Sequence, residues 1–132
     1  MLTALGTAMR RGELVGLRWR SIKLLEAKVE IRETFVRGRF TTPKSRASRR
    51  VVGLGPRTLA VLEEQGRRTA YRGDEDLVFG HPTKGTPVDT SKRANRCLKP
   101  ALARARIEKP FRPFHDLRHT SLTHAAGRAT PK

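Results

Sequence analysis

The sequence has few cysteines and no long apolar run, and each shortage excludes a class of protein. A single cysteine, Cys97, cannot form an internal disulfide or a cysteine-cluster zinc site. We expect it to be a small buried hydrophobic residue in a reducing compartment. No apolar run approaches the length of a membrane span, and the N-terminal residues predict a short helix rather than a signal peptide. The sequence therefore predicts a cytoplasmic protein with no membrane partner.

Acidic residues are also scarce. Among 132 residues, 29 are Lys or Arg and 12 are Asp or Glu, so the net charge is +17. At this length we expect one domain with a modest core. Because such a charge repels itself unless a polyanion neutralises it, nucleic acid is the leading partner. A merely soluble basic surface and a basic scaffold of the ribosomal type remain alternatives.

The basic residues are concentrated in two stretches that contain no carboxylate, between Glu33 and Glu63 and between Asp89 and Glu108. Two long stretches of one sign predict two surfaces against the phosphate backbone of a nucleic acid, although each alone could be a solvated face. Such a protein would be associated with the nucleoid. The predicted DNA-contacting side chains are Arg37, Arg39, Arg46, Arg49, Arg50, Lys92, Arg93 and Arg96.

The apolar patterning predicts a mixed α/β (α+β) domain, mainly helical around a small three-stranded antiparallel sheet. Helices are predicted over 2–17, 56–68, from 89–91 to 105, and over 115–126 with Gly127 as the C-cap. Strands are predicted over 28–34, 35–40 and 49–54, with a turn at 41–45 between the last two. Residues 77–87 are expected to form a strand-like run and a loop rich in Gly and Pro, and Pro100 is expected to kink its helix.

Two pairs of residues are candidates for phosphate chemistry. Arg10 and Glu13, three apart, would share a helix face, so that Glu13 supports a guanidinium in a cleft; an ordinary surface salt bridge is the alternative. His115 and Arg118 have the same spacing, and an arginine fork fits phosphate oxygens while a histidine relays protons. The alternative for His115 is a structural histidine at the start of a helix, with its hydrogen bonds already made. His119 adds helical metal spacing, but without a third ligand we expect no metal.

Lys44 lies in the predicted turn between two strands. A lysine at a hairpin tip is usually solvated. At the rim of a basic cleft it could instead donate a proton to a leaving-group oxygen, provided that neighbouring cations lower its pKa.

These segments, in order, resemble the motifs of the tyrosine recombinases, the phage-integrase family that cuts and rejoins DNA. The first box of the family is similar to Thr7-Ala8-Met9-Arg10-Arg11-Gly12-Glu13-Leu14 and the residues that follow, up to Ile22. The β-turn box with the family's lysine resembles 43–52, and the second box resembles Phe114-His115-Asp116-Leu117-Arg118-His119-Thr120. Residues 77–79, 85–87 and 98–107 are similar to the connecting segments. The resemblance covers nearly the whole chain.

The resemblance implies a role for each candidate. Arg10 and Arg118 would clamp the scissile phosphate and stabilise its pentacoordinate transition state. Lys44 would protonate the departing 5′-oxygen, and His115 would assist proton transfer and phosphate binding. The supporting residues would be Glu13 and His119. The family's reaction is a transesterification through a 3′-phosphotyrosine, and it implies neither a metal nor another cofactor.

The chain also departs from the family pattern. Ala8 and Ser21 stand where the family often has glycine and aspartate, and both look tolerable. The chain stops at Lys132, and the nucleophilic tyrosine is expected beyond it; the match does not place Tyr71, the only tyrosine, in that role. Residues 1–132 are therefore expected to be a partial catalytic domain, without the N-terminal core-binding domain and the C-terminal tyrosine segment.

The predicted function is that of a DNA-binding fragment of a recombinase catalytic domain, for DNA integration or recombination, that does not complete strand cleavage alone. One alternative is a non-catalytic DNA-binding remnant or regulator. Another is a part complemented in trans by a tyrosine-bearing segment, which would make other recombinase subunits its partners.

Overall fold

A computed structural model of the chain describes residues 1–42 and 49–128. Its architecture is the predicted mixed α/β class, mainly helical around a small antiparallel sheet. The helices within these residues are α1 Leu2–Thr7, α2 Arg11–Val15, α3 Pro56–Arg68, α4 Thr90–Arg104 and α5 Pro113–Arg128, with a 3₁₀ turn at Trp19–Ser21. The strands are β1 Ile22–Lys23, β2 Lys28–Ile31, β3 Thr34–Val36, β4 Arg39–Thr41 and β5 Arg50–Gly53.

The three-stranded sheet is antiparallel, with the order β1-β2-β5. Val29 of the central strand pairs with Ile22 on one side and with Val52 on the other. The prediction that residues 35–40 form a strand of this sheet was wrong. They belong to a separate hairpin, β3–β4, because Arg37 and Gly38 have positive φ values of 50° and 77° and make a tight turn. The short strand β1 takes the place that we predicted for them.

The helix predicted over 2–17 is in fact two helices. Ala8 has a left-handed backbone, with φ 51° and ψ 27°, and its N–H bonds to the Ala4 carbonyl at 3.1 Å. This residue ends α1 as a C-cap. Met9 then enters the core at 1% exposure, and Arg10 becomes the N-cap of α2 instead of a residue inside a helix. The apolar spacing did not reveal the break because both short helices bury one face.

Three smaller expectations were also wrong. Helix α5 continues through Gly127 to its end at Arg128, so this glycine is not a C-cap. Cys97 is exposed, although Ala94, three positions earlier on α4, is buried. The strand-like part of 77–87 is reduced to a single antiparallel bridge, between Leu77 and Arg18, and the rest is the expected loop.

The core lies between the sheet and the helices α1 and α3. The largest of its fully buried side chains, each at 2% exposure or less, are Met9, Val29, Ile31, Leu62 and Val78. Burial of each contributes roughly 1.5–3 kcal/mol. Helix α1 packs against both α3 and α5, which brings the C-terminal helix to the start of the chain. No helix of the described part is long and apolar enough to cross a bilayer.

Gly12 sets the distance between α2 and the β3–β4 hairpin. A Cβ at this position would lie 2.5 Å from Thr34 Oγ1 and 2.8 Å from the Phe35 carbonyl oxygen. Only glycine therefore lets α2 pack this closely, and the close packing fixes where Arg10 stands.

Candidate active site

A cleft of about 560 Å³ opens between the N-terminal ends of α2, α4 and α5. Four of the predicted site residues line it, and they come from both ends of the chain: Arg10, His115, Arg118 and His119. The contact between α1 and α5 brings these two segments together. The cleft is also lined by residues that we did not predict, among them Arg11, Ser91, Asn95 and Arg112.

Arg10 is held by its backbone while its side chain stays accessible. As the N-cap of α2, it donates its backbone N–H to Glu13 Oε2 at 2.7 Å, an arrangement that satisfies a free donor at the helix start. Its Nη1 lies 3.4 Å from Glu13 Oε1, and the side chain is 62% exposed. The guanidinium is thus positioned at the rim of the cleft and remains available to a ligand.

Glu13 lies behind this rim, with its side chain only 5% exposed. Arg50 binds it in a bidentate manner, with Nη1 and Nη2 each 2.9 Å from one carboxylate oxygen. Burial alone raises the pKa of Glu13, but hydrogen bonds from Arg50 and from the Arg10 backbone outweigh it, so the pKa lies below its usual range. The carboxylate is therefore charged, and its charge is matched by Arg50.

Arg118 extends from α5 toward the end of α1, where its Nη1 donates to the Ala8 carbonyl. Burial lowers the pKa of Arg118, and repulsion from Arg10 and Arg50 lowers it further, against a smaller opposing effect of Glu13. Three guanidinium groups thus surround one carboxylate that is already paired. This part of the cleft has a surplus of positive charge.

His115 lies in the first turn of α5, and its Nδ1 is 3.1 Å from Asp116 Oδ1. Its ring is tilted by 44° against the ring of His119, with 4.5 Å between the centroids. The side chain is 52% exposed, so it is accessible from the cleft. Within residues 1–42 and 49–128, no group of three or more His, Cys, Asp or Glu side chains is arranged to hold a metal ion.

The other predicted positions are spread over the surface. Lys44 and Arg46 lie outside the described residues. The structure places the predicted DNA contacts on the β3–β4 hairpin, before and in β5, and on α4; the exposed ones are Arg37, Arg39, Arg49, Lys92, Arg93 and Arg96. Arg50 differs from these, because Glu13 holds its guanidinium.

Arg11 and Arg112 were missed because their charge alone does not distinguish them from the other basic residues. Arg11 donates to Ser91 Oγ at 3.1 Å and so links α2 to the first turn of α4. Arg112 precedes α5, and its backbone N–H donates to Asp116 Oδ2 at 2.6 Å. For Arg11, the available signal was its position next to Arg10 in the first box. For Arg112, it was the acid Asp116, which follows His115 and accepts the backbone N–H of Arg112.

Tyr71 has a structural environment. Its hydroxyl donates to the Thr83 carbonyl at 2.7 Å, and its own carbonyl accepts the indole N–H of Trp19 at 2.9 Å. The residue is not part of the cleft lining. These contacts hold the loop after α3 in place.

Comparison with known sequences gives a family match over nearly the whole chain: the profile described as "Phage integrase family" matches residues 1–131. A prophage phiRv2 integrase of Mycobacterium tuberculosis (strain CDC 1551 / Oshkosh) is 32% identical over 137 residues, which cover 96% of this chain and 34% of the relative. A XerC-like tyrosine recombinase of Caldanaerobacter subterraneus subsp. tengcongensis is 27% identical over 153 residues, which cover 98% of this chain and 38% of the relative. The chain thus spans about a third of the length of these relatives.

Solved structures share the fold. The Tn1549 transposon integrase in complex with transposon right end DNA superposes with a TM-score of 0.81 at 17% identity, covering 98% of this chain and 46% of that chain. The XerA recombinase superposes with a TM-score of 0.72 at 23% identity, covering 98% of this chain and 42% of the XerA chain. The structural likeness shows the fold, and the profile match over residues 1–131 decides the membership. The chain belongs to the phage integrase family.

Proposed function

We propose that this chain carries the phosphate-binding part of a tyrosine-recombinase catalytic site, acting on double-stranded DNA in integration or recombination. In this proposal Arg10 and Arg118 clamp the scissile phosphate, with His115 beside them. The observation that carries the proposal is their position: three residues from opposite ends of the chain line a single cleft.

The electrostatics of the cleft favour an anion. Glu13 is the acid nearest to the clamp, and both of its oxygens are already bound by Arg50. One carboxylate, which also lies 3.4 Å from Arg10 Nη1, does not neutralise three guanidinium groups, so Arg10 and Arg118 still repel each other, and this repulsion contributes to the lowered pKa of Arg118. A phosphate between them would relieve this repulsion and accept charge-assisted hydrogen bonds from both forks. The same arrangement would stabilise the additional negative charge of a pentacoordinate transition state.

The chemistry also requires two groups from outside the described residues. A tyrosine hydroxyl attacks the phosphorus atom, a 3′-phosphotyrosine forms, and the 5′-oxygen leaves. His115 assists proton transfer at the phosphate. Lys44 protonates the leaving 5′-oxygen, a role that rests on the family resemblance because this lysine lies outside the described residues. The tyrosine would come from another segment or another recombinase subunit.

Double-stranded DNA is the proposed partner. The names of relatives support it: one is a prophage integrase, and the Tn1549 integrase structure contains transposon end DNA. In this chain, the exposed residues Lys92, Arg93 and Arg96 lie on α4, which also borders the cleft. They would contact phosphates that flank the one held by Arg10 and Arg118.

The test is a comparison of DNA affinity by fluorescence anisotropy on a duplex. Arg118→Ala is expected to weaken binding about tenfold, the effect of losing one charge-assisted hydrogen bond in the clamp. The matched control is Arg67→Ala, which removes an equal charge from the exposed face of α3, next to Glu64. Equal affinities of the two variants would overturn the proposal.

The alternative of a non-catalytic DNA-binding protein makes a different prediction for His115. If the chain only binds DNA, His115→Gln changes nothing that can be measured. If it contributes to catalysis, the same substitution lowers the yield of covalent protein–DNA adduct formed with a tyrosine-bearing segment supplied in trans. The absence of an adduct from the unsubstituted chain under every mixing condition would favour the alternative.

A further inference from the structure

We propose that Asp116 is a positioning residue, which holds the proton of His115 on Nδ1 and leaves Nε2 to face the occupant of the cleft. The inference deepens the proposed function and rests on it for the identity of the occupant. The arrangement itself belongs to the free chain, so it can be tested without DNA.

Asp116 is anchored across the first turn of α5. Its Oδ2 accepts the backbone N–H of Arg112 at 2.6 Å, and its own backbone N–H bonds to the Arg112 carbonyl at 2.8 Å. The Nε of Arg112 lies 3.8 Å from Oδ1. These contacts fix the orientation of the carboxylate. Oδ1 is thereby placed 3.1 Å from Nδ1 of His115.

The direction of the hydrogen bond follows from the charge of the acid. The backbone N–H of Arg112 and the contact with His115 lower the pKa of Asp116, so at neutral pH it is an ionised acceptor without a proton to donate. Nδ1 must therefore be the donor. In the neutral ring, the lone pair is then on Nε2, the nitrogen left for a ligand in the cleft.

This arrangement suits a histidine that moves a proton beside a phosphate. When Nε2 takes the proton of an attacking hydroxyl, the O–H bond breaks and an N–H bond forms, and the ring becomes a cation. The surroundings of that cation are mostly basic, with Arg10, Arg112 and Arg118 lining the same cleft and His119 against the ring. Asp116 is the carboxylate in contact with it and offsets this repulsion.

His81 is an internal control with the opposite geometry. Its Nδ1 lies 3.3 Å from the backbone nitrogen of Thr83, which can only donate, and 3.1 Å from Thr83 Oγ1, a hydroxyl that can donate as well. Nδ1 of His81 is therefore an acceptor, and the proton of the neutral ring is on Nε2. The two histidines are expected to be opposite tautomers in one sample.

The experiment is long-range ¹H–¹⁵N correlation NMR on the ¹⁵N-labelled chain, which reads the protonation of each ring nitrogen separately. In His115, Nδ1 should have the shift of a protonated nitrogen and Nε2 that of an unprotonated one, with the reverse in His81. If His115 instead matches His81, the proposal is overturned. This result needs no variant and no ligand.

Asp116→Asn separates positioning from a merely structural role. The Asn carbonyl still accepts the Arg112 N–H, which keeps the start of α5, but its amide group can donate to Nδ1. The proton of His115 is then expected to move to Nε2 while His81 stays unchanged. An unchanged tautomer of His115 in a folded variant would overturn the proposal.

Titration with inorganic phosphate tests the occupant separately. In the unsubstituted chain, phosphate should shift the Nε2 resonance of His115 and leave that of His81 in place. If phosphate shifts neither ring although His115 is the Nδ1–H tautomer, the proposed function fails and the positioning role stands.

Discussion

The Glu13 carboxylate accepts hydrogen bonds from Nη1 and Nη2 of Arg50, each at an N···O distance of 2.9 Å, although the two residues are 37 positions apart. The same carboxylate accepts the backbone N–H of Arg10 at 2.7 Å. One buried acid therefore ties the first residue of β5 to the start of α2. The position of Arg10 at the cleft depends on an arginine that does not itself line the cleft.

Removal of Arg50 is expected to be costly because it leaves the Glu13 carboxylate buried without its partner. For Arg50→Ala we expect the free energy of unfolding to fall by about 2–4 kcal/mol, toward the lower end for a broken buried pair since the arginine is partly exposed. Urea denaturation measures the change. Arg68→Ala, which breaks an exposed pair with Glu64, is the control and should leave the midpoint unchanged. A similar midpoint for both variants would contradict this account of Glu13.

The lowered pKa of Glu13 gives a pH dependence of stability. The pKa is lower in the folded chain than the ordinary value of 4.5, so the contribution is fully present above pH 4.5 and disappears as the pH falls through the folded pKa. In urea titrations, the stability difference between the unsubstituted chain and Glu13→Gln should therefore narrow below about pH 4.5. A difference that is constant from pH 7 to pH 3 would show that the charge of Glu13 does not contribute.

Ala8 has a left-handed backbone that glycine adopts without strain. Ala8→Gly should raise the free energy of unfolding by about 0.5–1 kcal/mol, since the relief of strain exceeds the added entropy of the unfolded chain. The matched control is Ala60→Gly on the exposed face of α3, which should cost about 1 kcal/mol. Thermal unfolding of both variants provides the comparison. Destabilisation by both substitutions would mean that Ala8 is not strained.

Binding to DNA should depend steeply on salt if phosphate contacts dominate it. The logarithm of the binding constant is expected to fall linearly with the logarithm of the salt concentration, and Arg118→Ala should reduce the slope by about one. Anisotropy titrations at several salt concentrations give the slopes. An affinity that does not change with salt would contradict the electrostatic account.

The sequence was sufficient for the class of fold, because the relevant signals are local, and it also identified four residues that line the cleft. The α3 helix could be predicted from Pro56 and the spacing of Leu59 and Leu62, and the start of α4 from the cap at Asp89. The hairpin β3–β4 could not, because a turn at Arg37-Gly38 has no strong local signature. A run of strand-favouring residues therefore predicts one strand.

The contacts that organise the site were beyond sequence reasoning for a different reason. The pairing of Glu13 with Arg50 and the bond from Arg118 to the Ala8 carbonyl join distant segments. Any of the chain's many arginines could have made them, so composition and spacing did not single one out. Asp116 was visible in the second box, but its two acceptor contacts depend on how α5 begins.

The central claim is that Arg10 and Arg118 bind the same phosphate, and a double-mutant cycle in DNA affinity tests it most directly. The affinities of the unsubstituted chain, Arg10→Ala, Arg118→Ala and the double variant would be measured at one salt concentration. We expect the double variant to lose less binding free energy than the sum of the two single losses, with a coupling of about 0.5–3 kcal/mol. The losses of binding free energy from Arg10→Ala and Arg67→Ala should instead be additive. Additive losses for Arg10 and Arg118 would mean that the two arginines bind separately, and would contradict the clamp.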